Sequence, residues 1–544
     1  MTSNEGSPPN AMRLLIAGFF AIFAAGVGFA IRGGIFGDWV QAFNFTGLET
    51  GLINGAGFTG FCFGIIIGGI IVDKIGYGKL VAAAFCFHVV SALVAFGAMP
   101  GMSTKTAFVY LWAGTFLFAV ANGTLEAVAN PLVATLFPKN RTHYLNILHA
   151  SWPAGMVVGG FIHSGLSTYS WKIQLATFLL PAVGYGILFL GQTFPKSEAS
   201  SKGLSLGEML RDVGILGSAV VGLFIFLFAK DGLGPLLGGL TGNEKFFTGD
   251  AWFWISAIIG VGVFISFGGI SRFALGAPLL FVLFLTHILV GAVELGTDGW
   301  IQNIEDAILP GDGTKLFIIT SALMFALRFC GHFIEHNIGL KPVGILFVCA
   351  ILGALGLNLV SGVTTFWTAV GALVVYSLGK TFFWPTMLAV ASDRFPRCGA
   401  VAISIMGGLG MMSAGLVGSP GLGYAKDRFS GEYLSQSSPA AYQTYKAATP
   451  SKWLVFKEVT GIDGQKLDAI NKKDAATRTA DEKAVADAYV AANRTTLRVD
   501  SAIPMTMAVI YLLLLGYFKA IGGYKPETID GERLTGGIEG PMEA

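Results

Sequence analysis

Fourteen runs of about twenty predominantly apolar residues divide this chain, and that is the length of helix that crosses the ~30 Å hydrocarbon core of a bilayer. They lie near 13–37, 46–72, 79–99, 107–137, 143–165, 172–194, 213–229, 251–271, 278–303, 315–335, 342–361, 364–391, 398–422 and 502–521. A backbone surrounded by lipid must satisfy its own hydrogen bonds, so such spans fold as helices. Composition agrees: 53% of the 544 residues are hydrophobic and 12% charged, against roughly 25% charged in soluble domains. The expectation is an all-α membrane protein whose surroundings are the lipid bilayer, with no nucleic-acid partner. Cys62, Cys86, Cys330, Cys349 and Cys398 fall in or beside apolar runs without a C-x-x-C pair, which suggests small hydrophobes and neither a disulfide framework nor a zinc site. No metal and no cofactor is expected. The opening "MTSNEGSPPNAMR" has no basic n-region, so no cleavable signal peptide is expected.

Lys and Arg in short loops set orientation. With a cytoplasmic N-terminus, the cytoplasmic segments carry fifteen, among them Lys74, Lys139, Arg141, Arg394 and Arg397. The short outer loops carry five: Lys105, Lys172, Lys230, Lys245 and Lys315. An even number of spans then places both termini in the cytoplasm, with the protein in the plasma (inner) membrane. Residues 425–501 are polar, with twelve Lys or Arg and ten Asp or Glu, and fall outside. Within them Thr479 and Glu482 form a capping-box pattern ahead of a helical run. This segment reads as a small cap or as a partner- or substrate-capturing unit.

The chain also echoes itself. "GIIVDKIGYGK" and "GHFIEHNIGLK" place an acid, Asp73 or Glu335, four residues after a glycine, and a lysine ten after it, at an offset of 331 − 69 = 262. Phe137-Pro138 and Phe395-Pro396 repeat at 258. Two matched halves in parallel orientation are one architecture of secondary transporters. The G-x-x-x-D-K-x-G pattern after the second span resembles the signature of the major facilitator superfamily. "LEAVANPLV" at 125–133 and "YLNILHASWPAGMVVGG" at 144–160 resemble its fucose–galactose–glucose:proton symporter branch, over about residues 13–165. The resemblance implies a major facilitator fold: two pseudo-symmetric six-helix halves at 13–194 and 278–521, the second interrupted by the insert 425–501, and a cytoplasmic tail at 522–544. Residues 195–277 then form a linker with an extra helix pair, which brings the total to about 14 spans.

Ionisable groups inside a membrane usually face a cavity or a partner. Asn122, Glu126 and Asn130 are spaced four apart and share one helix face. Glu126 lies about eleven residues, or ~16 Å, from the end of its span, where a carboxylate can exchange a proton with a path; the alternative is permanent pairing with a cation. The resemblance implies that Glu126 serves sugar binding and proton movement and that Asn130 stands beside it. It also departs from the family: the first-helix aspartate expected for proton coupling falls on Gly33, beside Arg32, and a fifth-helix amide falls on Trp152. In the second half, His287, Glu294 and Asp298 share a face, with Trp300 and Gln302 nearby. The repeat offsets set Arg32 against Glu294, and Lys380 in a ring with Glu126. Asn146 and His149 share a face of the fifth span; His88 and His163 read as structural. Trp152, Trp300 and Trp384 offer flat faces to a sugar. Arg328 and His332, four apart near a cytoplasmic end, form an inner gate or a snorkelling pair.

The expected function is secondary active transport of a small polar solute, a sugar or sugar derivative, driven by protons or sodium. An organic anion such as a sugar acid is the alternative, and a polytopic membrane enzyme a remote one. Glu126, Glu294 and Asp298 are the candidates for proton coupling. Arg32, Asn122, Glu126, Asn130, Asn146, His149, Trp152, Glu294, Trp300, Gln302, Lys380 and Trp384 are those for substrate binding. Asp73, Lys74, Arg328, His332 and Glu335 are those for a conformational gate. A monomer is expected.

Overall fold

The structure, a computed structural model, describes residues 10–43, 47–195, 204–448 and 450–527. The tail beyond 527 and the side chains of Asp73 and His332 lie outside what is described. Among the described residues the chain is helical and its only β-pairing is two isolated bridges.

Glycine sets the spacing of the first bundle. α2 (Gly47–Ile75) lies along α4 (Thr104–Leu136) with the backbones in contact. A Cβ at Gly64 would stand 2.2 Å from the Val120 carbonyl oxygen, and one at Gly123 2.0 Å from that of Phe61. In lipid, apolar burial does not drive helices together, so this close van der Waals approach does. α1 (Ala11–Phe43) packs on α5 (Arg141–Leu166), and α3 (Tyr77–Phe96) packs on α4. The sixth span is two short helices, α6 (Trp171–Ala176) and α7 (Leu179–Phe189).

α8 (Gly214–Leu227) and α9 (Asp250–Ile270) follow and pack on one another. Only 17% of α9's span window is buried, so its apolar surface faces outward. In the second bundle α10 (Pro278–Val290) passes through a π-helical turn, Gly291–Gly296, into α11 (Thr297–Ile308). α12 (Gly313–Arg328), α13 (Pro342–Ser361), α14 (Phe366–Lys380) and α15 (Phe383–Arg394) come next. α16 (Ala400–Ser413) passes through a second π-helical turn, Ala414–Gly418, into α17 (Ser419–Ser437). The two π-helical turns pack on each other.

Thirteen helical segments among the described residues are long and apolar enough to cross a membrane. They match thirteen of the fourteen expected spans. The tenth, 315–335, differs: α12 stops at Arg328 after 16 residues, ~24 Å at 1.5 Å per residue. The polar run "RFCGHFIEHN" cuts it there, and the chain continues as a short turn and the π-helical turn Ile334–Ile338.

The bundles meet along two seams. α2 packs on α16, and α5 packs on α12. An offset near 260 carries α2 onto the α12 region and α5 onto the α16 region, so each seam is the repeat's image of the other. Two helical segments outrun a bilayer: Ala400–Ser437 has 38 residues and Ala480–Ala520 has 41, against about 20 needed. The second is α18 (Ala480–Asp500) followed by α19 (Ala502–Ala520). α17 packs on α18, and Leu434, Ala441, Ile462, Leu467, Ile470 and Val485 form a separate small core there. The Thr479–Glu482 capping box is formed in both directions. This cap is fastened to the bundle beneath: Arg494 donates to the carbonyls of Ser361 (2.8 Å) and Val363 (2.6 Å), and Thr297 donates to Asp500 (2.6 Å).

Two outcomes follow. Gly123→Leu forces side-chain atoms into the α2 backbone and is expected to cost 1–3 kcal/mol or more, with loss of the monodisperse peak in detergent chromatography. Gly55→Ala, where a Cβ meets nothing within 4 Å, is expected to leave the peak intact. Replacing 439–478 by a short Gly/Ser linker keeps α17, α18 and their ties to the bundle, so that protein is expected to remain monodisperse; aggregation would show that the cap's own core holds the bundle together.

Candidate functional site

A cavity of about 520 Å³ opens between the bundles toward the cap. The first bundle contributes Arg32, Gly33, Phe118, Asn122, Trp152 and His163, and the second Asp298, Gln302, Asn303 and Asp306. Gly33, where the resemblance implies a carboxylate, lines the space without filling it: a Cβ there meets nothing within 4 Å. Gly34 lets the His163 ring approach, since a Cβ would stand 2.5 Å from it.

Arg32 is 4% exposed. Its guanidinium stacks over Phe118 at 3.6 Å and faces Phe178 at 5.2 Å. Nη1 makes a long contact with the Gly28 carbonyl (3.5 Å), while Nε and Nη2 have no partner among the described residues. Asn122 is held from behind. Tyr185 Oη is 3.0 Å from His88 Nδ1, and His88 Nε2 is 2.8 Å from Asn122 Oδ1. An amide oxygen only accepts, so Nε2 carries the hydrogen, the tyrosine hydroxyl donates to Nδ1, and the Asn122 amino group is left for the cavity. His88, expected to be merely structural, therefore orients a cavity residue.

Beneath the cavity floor lies a buried polar network. Asn130 Nδ2 donates to Glu126 Oε2 (3.2 Å), and His149 Nε2 donates to Asn130 Oδ1 (2.8 Å). The His149 carbonyl accepts from Arg328 Nη1. Arg328 Nη2 pairs with Glu294 (3.1 Å) and Nε donates to the Thr381 carbonyl (3.1 Å). The other Glu294 oxygen accepts the Trp384 backbone N–H (3.2 Å). Of the stripe 122/126/130, Asn122 lines the cavity and Glu126 and Asn130 lie in the network below it. The pairing inferred from the repeat is corrected: Glu294 pairs with Arg328 instead of Arg32, and Lys380 pairs with Asp298. Repeat offsets give register along a helix but not which way each side chain turns.

The remaining candidates are scattered. Trp152 lines the cavity and packs on Phe29 at 5.5 Å. Trp300 donates to Ser419 (2.8 Å to Oγ) under the Lys426 ammonium, and Trp384 faces the His287 ring at 4.6 Å. Gln302 donates to Thr314 (2.8 Å). Asn146 is buried and donates to the Thr142 carbonyl (2.8 Å). Lys74 is exposed at the end of α2, and Glu335 is half-buried in the turn after α12. Glu305 and Asp500, both buried, were not expected, because the spans were cut at 303 and begun at 502.

The end of the bundles opposite the cavity is bridged. Arg141, at the start of α5, pairs with Asp393 near the end of α15 at 3.1 Å, with side chains 6% and 1% exposed. Asp393 also accepts from Tyr524 (2.9 Å). Sequence reading missed this bridge, although Arg141 and Asp393 flank the two Phe-Pro echoes, three residues after Pro138 and three before Pro396. Among the described residues no group of three His, Cys, Asp or Glu is placed to hold a metal ion.

Removing one partner of a buried pair typically costs 3–5 kcal/mol. Asp393→Asn is therefore expected to loosen this end. Thr135, which lines a small cleft beside Arg141, is the reporter: in a chain without native cysteines, Thr135→Cys should react with a maleimide about tenfold faster once Asp393 is changed. Unchanged labelling would remove the bridge from any gating role.

Comparisons with known proteins agree with this architecture. A family profile described as Major Facilitator Superfamily matches residues 18–419. The L-fucose-proton symporter of Escherichia coli (strain K12) is 28% identical over 119 residues, 22% of this chain and 26% of that protein; the match therefore spans about a quarter of the relative. A proton:xylose symporter, XylE, bound to 6-bromo-6-deoxy-D-glucose, superposes with a TM-score of 0.57 at 10% identity, covering 92% of this chain and 95% of that one. The human organic anion transporter MFSD10 gives 0.54 at 12%, covering 93% and 100%. The E. coli fucose:proton symporter FucP gives 0.53 at 14%, covering 92% and 98%.

Proposed function

The chain belongs to the Major Facilitator Superfamily, a multi-pass membrane transporter, and on that premise we propose that it takes up a sugar or sugar derivative together with protons by alternating access. The observation that carries this reading is the cavity between two bundles, open at one end and closed at the other by the buried Arg141–Asp393 pair. A site reached from one side only is what rocking of two halves about a fixed midplane site requires. In this reading 13–194 and 278–521 are the rocking halves, 195–277 is a linker with α8 and α9 as an accessory pair, and 425–501 is an outer cap. Both termini lie in the cytoplasm of a plasma (inner) membrane, and the cavity faces outward.

The proton site is Glu126. It lies below the cavity, hydrogen-bonded to a neutral amide (Asn130) rather than ion-paired in its own right. Glu294 and Asp298 are each paired with a cation, Arg328 and Lys380, and serve as electrostatic partners. One charge crossing 100 mV contributes about 2.3 kcal/mol, enough for roughly 50-fold accumulation at about 1.4 kcal/mol per tenfold. The weak likeness to a fucose–proton symporter and the fold shared with a xylose symporter support a sugar-class solute.

Glu126→Gln keeps the Asn130 contact but cannot exchange a proton. It is expected to abolish uphill uptake in proteoliposomes under an imposed pH gradient while leaving counterflow exchange, which needs no net proton movement. Undiminished uphill uptake would rule Glu126 out as the coupling group. Arg32 favours a second form of the same reading, in which the sugar derivative is an acid.

A further inference from the structure

The cavity's two walls offer different chemistry. Donors dominate the first-bundle wall. Arg32 has only N–H groups to give, and Asn122 is turned by the His88–Tyr185 chain so that its amino group remains for the solute. The acids of the opposite wall already have partners. Asp298 is held by Lys380, and exposed Asp306 accepts from the N–H groups of Gly311 (2.9 Å) and Gly313 (3.4 Å).

Arg32 is the unusual group. A buried guanidinium without a paired anion is costly. Stacking on Phe118 and Phe178 offsets part of that through the ring faces, but it satisfies none of the in-plane N–H groups. The two unpartnered nitrogens are Nε and Nη2, the pair whose N–H bonds run parallel along one edge of the guanidinium. That edge matches the two oxygens of a carboxylate, the bidentate geometry in which Arg exceeds Lys. Among the described residues no Asp or Glu pairs with Arg32, and at the adjacent position 33 the chain has glycine.

We propose that the transported solute is a sugar acid, a polyhydroxylated monocarboxylate, whose carboxylate is received by the buried Arg32 guanidinium with Asn122 Nδ2 as a further donor. This rests on the sugar-class reading above and narrows it. Charge count selects a monoanion over a phosphate ester: the other cation beside the cavity, Lys380, is committed to Asp298, so a dianion would keep one charge uncompensated. The hydroxyls of the solute face Asp298, Gln302 and Asn303 across the cavity, while Trp152 supplies an apolar face. His88 is a positioning residue that fixes which end of the Asn122 amide the solute meets.

The test measures binding to the purified full-length protein by thermal shift and competition, using a panel of hexoses, their uronic acids and their 6-phosphates. A uronic acid is expected to bind at least about tenfold tighter than its parent hexose, the ratio that ~1.4 kcal/mol sets. Arg32→Gln should remove most of that preference. Gly33→Asp provides an independent variant, because a side chain fits there without a clash. It sets a fixed negative charge in the same cavity and should abolish the acid's advantage while hexose binding persists. His88→Phe should narrow the acid-to-hexose ratio with the protein still folded, a change that lost packing alone would not produce. A hexose or a 6-phosphate bound as well as or better than the uronic acid, or an acid preference surviving in Gly33→Asp, overturns the proposal but leaves sugar transport standing. Failure of every member of the panel to bind or to be taken up overturns the sugar-class reading itself.

Discussion

A single guanidinium ties this structure together across its midplane. Arg328 ends α12 and gives its N–H groups to three places: the His149 carbonyl in α5, the Thr381 carbonyl after α14, and the Glu294 carboxylate in the π-helical turn before α11. No water is at hand in a bilayer core to satisfy a cation, so its partners must come from the protein. The contact with α5 crosses between bundles, and the others stay within the second. The bundles therefore cannot part at this level without Arg328 losing an acceptor. Through His149 and Asn130 the same connection reaches Glu126. The Arg328 charge also acts directly on Glu126 across this low-dielectric interior, so the charge state of Glu126 and the seam between α5 and α12 are not independent.

Most of the fold was legible because hydropathy is a local signal. Thirteen of fourteen spans were readable from runs of apolar residues, since lipid demands the same length of helix wherever it occurs. The exception is instructive. The α12 span looks long enough by counting, but the polar run "RFCGHFIEHN" begins at Arg328 and the regular helix stops there. The cap was legible as a polar insertion, and its capping box as a local motif. Its fastening through Arg494 to the loop after α13 was not, because that contact joins residues more than a hundred positions apart.

The site was legible where one helix carries it and illegible where two do. Asn122, Glu126 and Asn130 are related by helical spacing, and their common face is real. Spacing could not reveal that His88, on another helix, holds the Asn122 oxygen, nor that Arg141 meets Asp393 across the seam. Such pairs depend on how helices rotate against each other, which close glycine contacts decide. The repeat offsets likewise assigned Arg32 to Glu294 on register alone. The actual partner, Arg328, lies 34 residues from Glu294 in the same bundle. Charged pairs form locally within each bundle, and the cross-bundle contacts involve backbone carbonyls and the closing bridge.

Under the proposed reading, the layering of the site gives solute and proton a shared element. Asp298 lines the cavity, while Glu294, one helical turn earlier, lies in the buried network below. Glu294 sits in the π-helical turn Gly291–Gly296 and Asp298 just beyond it, and that turn packs on its counterpart Ala414–Gly418 so closely that a Cβ at Gly418 would stand 2.6 Å from the Ala292 carbonyl oxygen. A π-helical turn carries an extra residue and is a common place for a helix to deform. In that reading, solute hydroxyls on Asp298 would compete with Lys380 for its oxygens, and protonation of Glu126 would weaken the field that Arg328 shares with Glu294. Both events load the same turn from opposite sides. Under the proposed reading, coupling needs no direct contact between solute and proton: it needs only that α11 stay rigid enough to pass a shift at Asp298 down to Glu294, and that neither Gly291 nor Gly418 gain a side chain that would lock the two turns apart.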